Sequence, residues 1–283
     1  MNSMSLIVRL TKRALLMGVS SLLVLPLSGC LTTQTTNAGE VGVTRQQFVL
    51  VSSQEVDASA QKAYAQVLAK ASAEGKLNRN PQEVTRVRAV ARRLIAQTGA
   101  FRADAPNWKW EVNVLTSPEL NAWCMAGGKI AVYTALLEKL NLTDDELAAV
   151  MGHEIAHALR EHTRERVSQQ MATNLGLNIL SAGLGLSAGV SDLAGQVLNV
   201  TVALPYSREH ETEADRIGVE LAARAGYNPR AAISLWQKME QVGGGAPPEL
   251  LSTHPSPERR MQDLEVYSQR VFPLYEQARK RSQ

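Results

Sequence analysis

Histidines at positions 153 and 157 and a glutamate at 154 fall in the stretch M-G-H-E-I-A-H-A-L-R-E-H. On an α-helix, residues four apart differ by about 40° in direction, so both imidazoles project from one face and can converge on a single ion. Zinc suits imidazole nitrogens at about 2.0 Å, and a catalytic site takes three protein ligands and leaves the fourth position to water. Glu154 is turned by about 100° from His153, beside such an ion and not on it. There it can take a proton from bound water. This is the H-E-x-x-H arrangement, and its mechanics account for the spacing. The bland alternative is a solvated helix face with incidental histidines.

A second segment, R-E-H-E-T-E-A-D-R-I-G (Arg208 to Gly218), offers a third ligand. Glu211 and Asp215 are again four apart, so one carboxylate can bind the ion while the other accepts a hydrogen bond from a ligand imidazole and fixes its tautomer. Glu213 points elsewhere and is the weaker candidate. Together, H-E-I-A-H and E-T-E-A-D-R-I-G resemble the gluzincin metallopeptidases of family forty-eight, the group of the HtpX heat-shock protease and the CaaX prenyl proteases. Within that family the resemblance is to outer-membrane lipoprotein members such as LoiP and BepA. It spans about Gln54 to Leu264 and takes in G-G-K-I-A-V-Y-T and S-T-H-P.

The resemblance assigns the third ligand to Glu211, implies one Zn2+ per chain, and lets His254, in L-S-T-H-P-S-P, occupy the open metal position as a removable inhibitory ligand. Packing of His254 on the domain edge is the alternative. His162, five residues past His157, is read as structural, and His210 as a surface group or one behind the ligands. BepA-like members carry a helical-repeat domain after the catalytic part. The chain ends at Gln283, so repeat-based docking is not expected.

These side chains need elements to hold them. The spacing predicts a helix from Gln54 to Ala73 and another capped by Asn80, with Pro81 at its first position and Glu83 closing a capping box. It runs to about Thr98, with Gly99 as its stop. Strands are expected at Trp108–Leu115 and in G-K-I-A-V-Y-T. The histidine helix opens at Thr143, with Glu146 reaching back to it. If G-G-K-I-A-V-Y-T is an edge strand, Gly128, Lys129, Ile130 and Ala131 offer backbone to an extended substrate; a core strand paired on both sides is the alternative. Residues 167 to 191 carry no charge and read as a buried or lid-forming helical segment in preference to a membrane hairpin. Further helices follow from about Ser207, Pro229 and Ser256. The fold class is α+β, predominantly helical, a zincin-like fold with a small antiparallel or mixed sheet beside the H-E-x-x-H helix.

The N-terminus has a signal-peptide shape, with Arg9, Lys12 and Arg13 before a short apolar run that ends in L-S-G-C. It looks like a lipobox. Residues 1–29 are then a lipoprotein signal peptide, Cys30 carries the lipid, 30–46 form a flexible tether, and 47–283 form a single metallopeptidase domain. Leu31 is not Asp, which by resemblance to enterobacterial lipoproteins favours the outer membrane. Removing 1–29 leaves Lys+Arg and Asp+Glu equal at 27, so nucleic acid is not expected. Cys124 has no partner for a disulfide and reads as a small buried hydrophobe.

The expected function is zinc-dependent endoproteolysis of unfolded or misassembled envelope proteins on the periplasmic face of the outer membrane. A metal-stabilised chaperone or scaffold, or a latent protease capped by His254, are the alternatives. Self-association and association with other envelope proteases stay open.

Overall fold

The computed structural model describes residues 32–183, 192–242, 249–254 and 258–281. Two short strands, β1 (Thr32–Thr33) and β2 (Gln47–Phe48), pair antiparallel. Helices α1 (Ser53–Ala73) and α2 (Pro81–Ile95) follow, then β3 (Glu111–Leu115), β4 (Ala122–Met125) and β5 (Lys129–Tyr133). Next come α3 (Thr134–Lys139), α4 (Asp144–Leu159), α5 (His162–Gly183), α6 (Leu193–Val202) and α7 (Arg208–Arg224). The order closes with α8 (Ala231–Val242), α9 (Glu249–Thr253) and α10 (Glu258–Arg281). A predominantly helical α+β fold with one small mixed sheet beside α4 is what the spacing predicts.

That sheet has the order β3-β5-β4, with β3 parallel and β4 antiparallel to β5. Its period-2 alternation feeds two cores. Ala122, Cys124, Ile130 and Val132 enter the core built with α2, α4, α7 and α8, whereas Trp123, Met125 and Ala131 face α1 and α6. Covered on both faces, β4 and β5 are almost continuously buried and lose the alternation that would mark a strand in sequence. The β4 strand escaped the sequence reading for that reason.

One sequence expectation fails outright. Gly128, Lys129, Ile130 and Ala131 lie at and within the central strand, paired on both sides, and cannot accept a further strand. Gly128 is fixed by packing: its φ is +78°, and a Cβ there would lie 2.5 Å from the Trp110 ring. The Lys129 ammonium is buried against Lys109 O and the Glu111 carboxylate.

The flexible tether is also corrected, for residues 32–46. Asn37 N–H donates to Phe101 O at 2.8 Å, Val41 N–H donates to Glu220 Oε2 at 3.0 Å, and Val41 and Val43 are buried in the main core. Gly39 adopts φ +61° where a Cβ would strike Glu220 and Phe101, so the glycine allows close approach rather than mobility. The compact unit therefore begins at Thr32, and residues 1–31, with Cys30, lie outside the described residues. Smaller shifts concern element ends. The first of these strands starts at Glu111, with Trp108 and Trp110 stacked before it. Helix α2 stops at Ile95, with Asn80 capping Gln82 and Glu83 N–H. Of the uncharged stretch, α5 reaches Gly183 and 184–191 are outside the described residues. Among the described residues no helix is long and apolar enough to cross a membrane.

Candidate metal centre

Helix α4 starts with a complete capping box: Thr143 Oγ1 accepts from Glu146 N–H, and the Glu146 carboxylate accepts from Thr143 N–H. Helix α7 is capped by Ser207. The two helices cross where each has a glycine. A Cβ on Gly152 would lie 2.9 Å from Gly218 O, and one on Gly218 would lie 2.8 Å from His153 N. This backbone contact sets the distance from the histidine pair to Glu211. Gly218→Ala is accordingly expected to cost about 1–3 kcal/mol through overpacking and to weaken metal binding as α7 is pushed off α4. An unchanged melting temperature would show that the crossing tolerates the methyl group.

Four buried side chains, His153, His157, Glu211 and His254, bring donor atoms within 4.8 Å of one another. His153 Nε2 lies 3.0 Å from His157 Nε2 and 3.2 Å from His254 Nδ1. Glu211 Oε1 lies 2.9 Å from His254 Nδ1 and 3.4 Å from His157 Nε2. Ligands about 2.0 Å from a tetrahedral ion stand about 3.3 Å apart, so these separations fit a divalent cation. The donor set, imidazole nitrogens with one carboxylate, is a zinc-type set. Two buried carboxylate oxygens, Glu154 Oε1 and Glu211 Oε2, have no hydrogen-bond partner among the described residues, although Arg260 Nη1 pairs with the latter at 2.9 Å.

The surrounding charges favour a cation in this position. Burial opposes protonation of His153, yet hydrogen bonds to Asp215 and Glu211 lift its imidazole to about 10. Burial also works against the Glu211 carboxylate, but His254, His153 and His157 hold it well below the usual carboxylate range. His157 is kept neutral by burial, as a ligand with a free lone pair must be. Burial raises Glu154, with His254 and His153 opposing. An oxygen of Glu154 stands 3.5 Å from His254 Nε2, so its carboxylate flanks the cluster.

Behind the donors, His153 Nδ1–H donates to Asp215 Oδ1 at 3.0 Å. Arg260 holds Asp215 through two hydrogen bonds of 2.7 Å and lies over the Trp236 ring. Arg260 and Tyr206, whose ring stacks on His254, were not found from sequence. Each reaches the site from a distant element, and no local spacing signals it. His162 and His210 are both buried. His210 bonds Glu165 at 3.1 Å, while His162 touches His157 itself at 2.9 Å and so is not turned off the ligand pair as the helical period predicts. Glu213 turns away from the cluster, toward Arg45, Arg160 and His162. An apolar pocket lined by Val150, Val219, Leu235, Trp236 and Met239 opens beside His153 and Glu154.

Several known proteins are similar to this chain. The mitochondrial metalloendopeptidase OMA1 of Arabidopsis thaliana is 41% identical over 151 residues, covering 53% of this chain and 30% of that protein. OMA1 of Schizosaccharomyces pombe is 36% identical over 180 residues, covering 63% and 51%. The beta-barrel assembly-enhancing protease of Escherichia coli (strain K12) is 29% identical over 175 residues, covering 58% and 36%. The chain thus spans about a third to a half of the length of these relatives, and their identities do not single out the outer-membrane lipoprotein members. The profile of Peptidase family M48, a metallopeptidase family, matches residues 81–268, more than half of the sequence and both metal-facing helices. The chain belongs to Peptidase family M48.

Proposed function

We propose that this protein is a zinc endopeptidase with His153, His157 and Glu211 as ligands, Glu154 as general base, and His254 as a cap that keeps the resting enzyme latent. The observation that carries this reading is the convergence of the four donor atoms with the Glu154 carboxylate at their edge. A bound zinc would supply a polarised carbonyl and an acidified water. Glu154, whose Oε1 has no hydrogen-bond partner among the described residues, takes the proton from the attacking water and returns it to the leaving amine. Asp215, itself clamped by Arg260, holds the proton on His153 Nδ1 so that Nε2 faces the ion.

The β4 strand is the sheet edge beside α4 and replaces β5 as the strand to which an extended segment adds. Backbone addition selects extended chains rather than a sequence, which suits unfolded or misassembled envelope proteins as substrates. The α9 segment that carries His254 bonds the chain just ahead of that strand, through Leu250 N–H to Leu120 O at 3.1 Å. One segment therefore covers both the metal corner and the approach to β4. The lipobox at Cys30 supports anchoring to the periplasmic face of the outer membrane. A client-holding scaffold would leave the buried, partly unpartnered Glu154 without a role.

Chelation of the purified protein is expected to abolish cleavage of unfolded casein, and stoichiometric zinc to restore it. Cleavage that persists after the metal has been stripped would contradict the proposal.

A further inference from the structure

We propose that His162 is a positioning residue for the metal centre: it takes the hydrogen bond of His157 Nδ1–H and is itself aligned by Glu213, which two arginines hold. This inference rests on the zinc-site reading above and extends it to the side of the cluster away from Asp215.

With an ion at the cluster, hydrogen-bond directions leave one assignment. His157 directs Nε2 at the cluster it shares with Glu211 and His153; with that lone pair given to the ion, the single proton of its neutral ring sits on Nδ1. That nitrogen lies 2.9 Å from His162 Nδ1, which must accept. The proton of His162 is then on Nε2, and Nε2 lies 3.0 Å from Glu213 Oε2, an acceptor only. Glu213 is fixed in turn by Arg160 Nε at 3.0 Å and by Arg45 Nε at 2.7 Å. Arg45 belongs to the N-terminal segment and also clasps Glu165, at 2.7 and 2.8 Å. The docked segment 32–48 is thus linked through Glu213 and His162 to a metal-facing imidazole.

Local backbone geometry supports the same assignment. On a continuing helix His162 would point about 140° away from His157. Instead α4 ends at Leu159 and Glu161 takes φ +51°, a left-handed conformation that a non-glycine residue rarely adopts. The reversal at Glu161 folds His162 back onto His157. Its partner histidine has its own aligning group, Asp215, so each ligand imidazole is held from behind.

Two amide substitutions separate positioning from packing. Asparagine places its carbonyl oxygen near the Nδ1 position and keeps the acceptor for His157. Glutamine reaches the Nε2 position, keeps the Glu213 contact and loses that acceptor. Zinc affinity of the full chain in detergent, read by competition with a chromophoric chelator, is expected to fall about 10–100-fold in His162→Gln and to stay near wild type in His162→Asn. Equal zinc affinities in the two variants, whether both weakened or both unchanged, overturn the assignment.

A second measurement needs no variant to fold. Histidine 15N spectra of the zinc-loaded wild type are expected to show His157 protonated at Nδ1 and His162 at Nε2, and protonation of His162 at Nδ1 overturns the inference. Failure of the unsubstituted chain to bind zinc would instead refute the metal-site reading, which distinguishes the two failures.

Discussion

Glu154→Gln is expected to leave zinc bound and to lower cleavage of unfolded casein by roughly 10²–10⁴-fold, the range lost with a positioned acid–base group. The amide is nearly isosteric with the carboxylate, so His153, His157 and Glu211 keep their places, but it cannot accept the proton of an attacking water. Glu154 is buried, with one oxygen lacking a hydrogen-bond partner among the described residues. Its loss therefore removes chemistry and little structure. Zinc content by elemental analysis, paired with the casein assay, checks both halves of the expectation. Undiminished cleavage by a zinc-loaded variant would remove Glu154 from the mechanism.

His254→Ala is expected to act in the opposite direction and to raise cleavage about tenfold by freeing the competent state from a competing ligand. The sign follows from where the imidazole sits. His254 Nδ1 lies 3.2 Å from His153 Nε2 and 2.9 Å from Glu211 Oε1, in the corner that an attacking water needs. The segment itself has other anchors: Tyr206 N–H donates to Thr253 O at 2.9 Å, and Arg260 Nη1 donates to His254 O at 3.3 Å. Truncation thus clears the corner without releasing α9. Initial rates on casein at saturating zinc decide the matter. A fall in rate would mean that the imidazole assists the reaction, and the capping role would be withdrawn.

The parts of this molecule legible in sequence are those governed by short-range rules. The capping box at Thr143, the i,i+4 histidine pair and the Glu211–Asp215 pair all arise within one helix, where periodicity and cap chemistry act directly. The strand of G-K-I-A-V-Y-T was legible as a strand, but its place in the sheet was not. Centrality depends on β3 and β4, and β4 is buried on both faces and carries no polar alternation.

The segment 32–46 was misread for a related reason. Its threonines and glycines suggest mobility, yet Val41 and Val43 enter a core made by residues far along the chain. His162 was discounted by extending a helix past its true end. The left-handed turn at Glu161 carries no sequence signal strong enough to overrule the helical period. Arg260 shows the same limit from the other side, since an arginine in a charged terminal helix reads as solvated until α10 is seen against Asp215 and Glu211.

Under the proposed function, side chains from α4 and α7 share one cation. An anomalous-difference map recorded at the zinc edge from zinc-loaded crystals tests it most directly. A single strong peak is expected, bonded by His153 Nε2, His157 Nε2 and a Glu211 oxygen at about 2.0–2.2 Å, with His254 Nδ1 as the fourth ligand in the resting protein. Glu211 turned away from a peak held by the two imidazoles, or a peak elsewhere in the molecule, would contradict it.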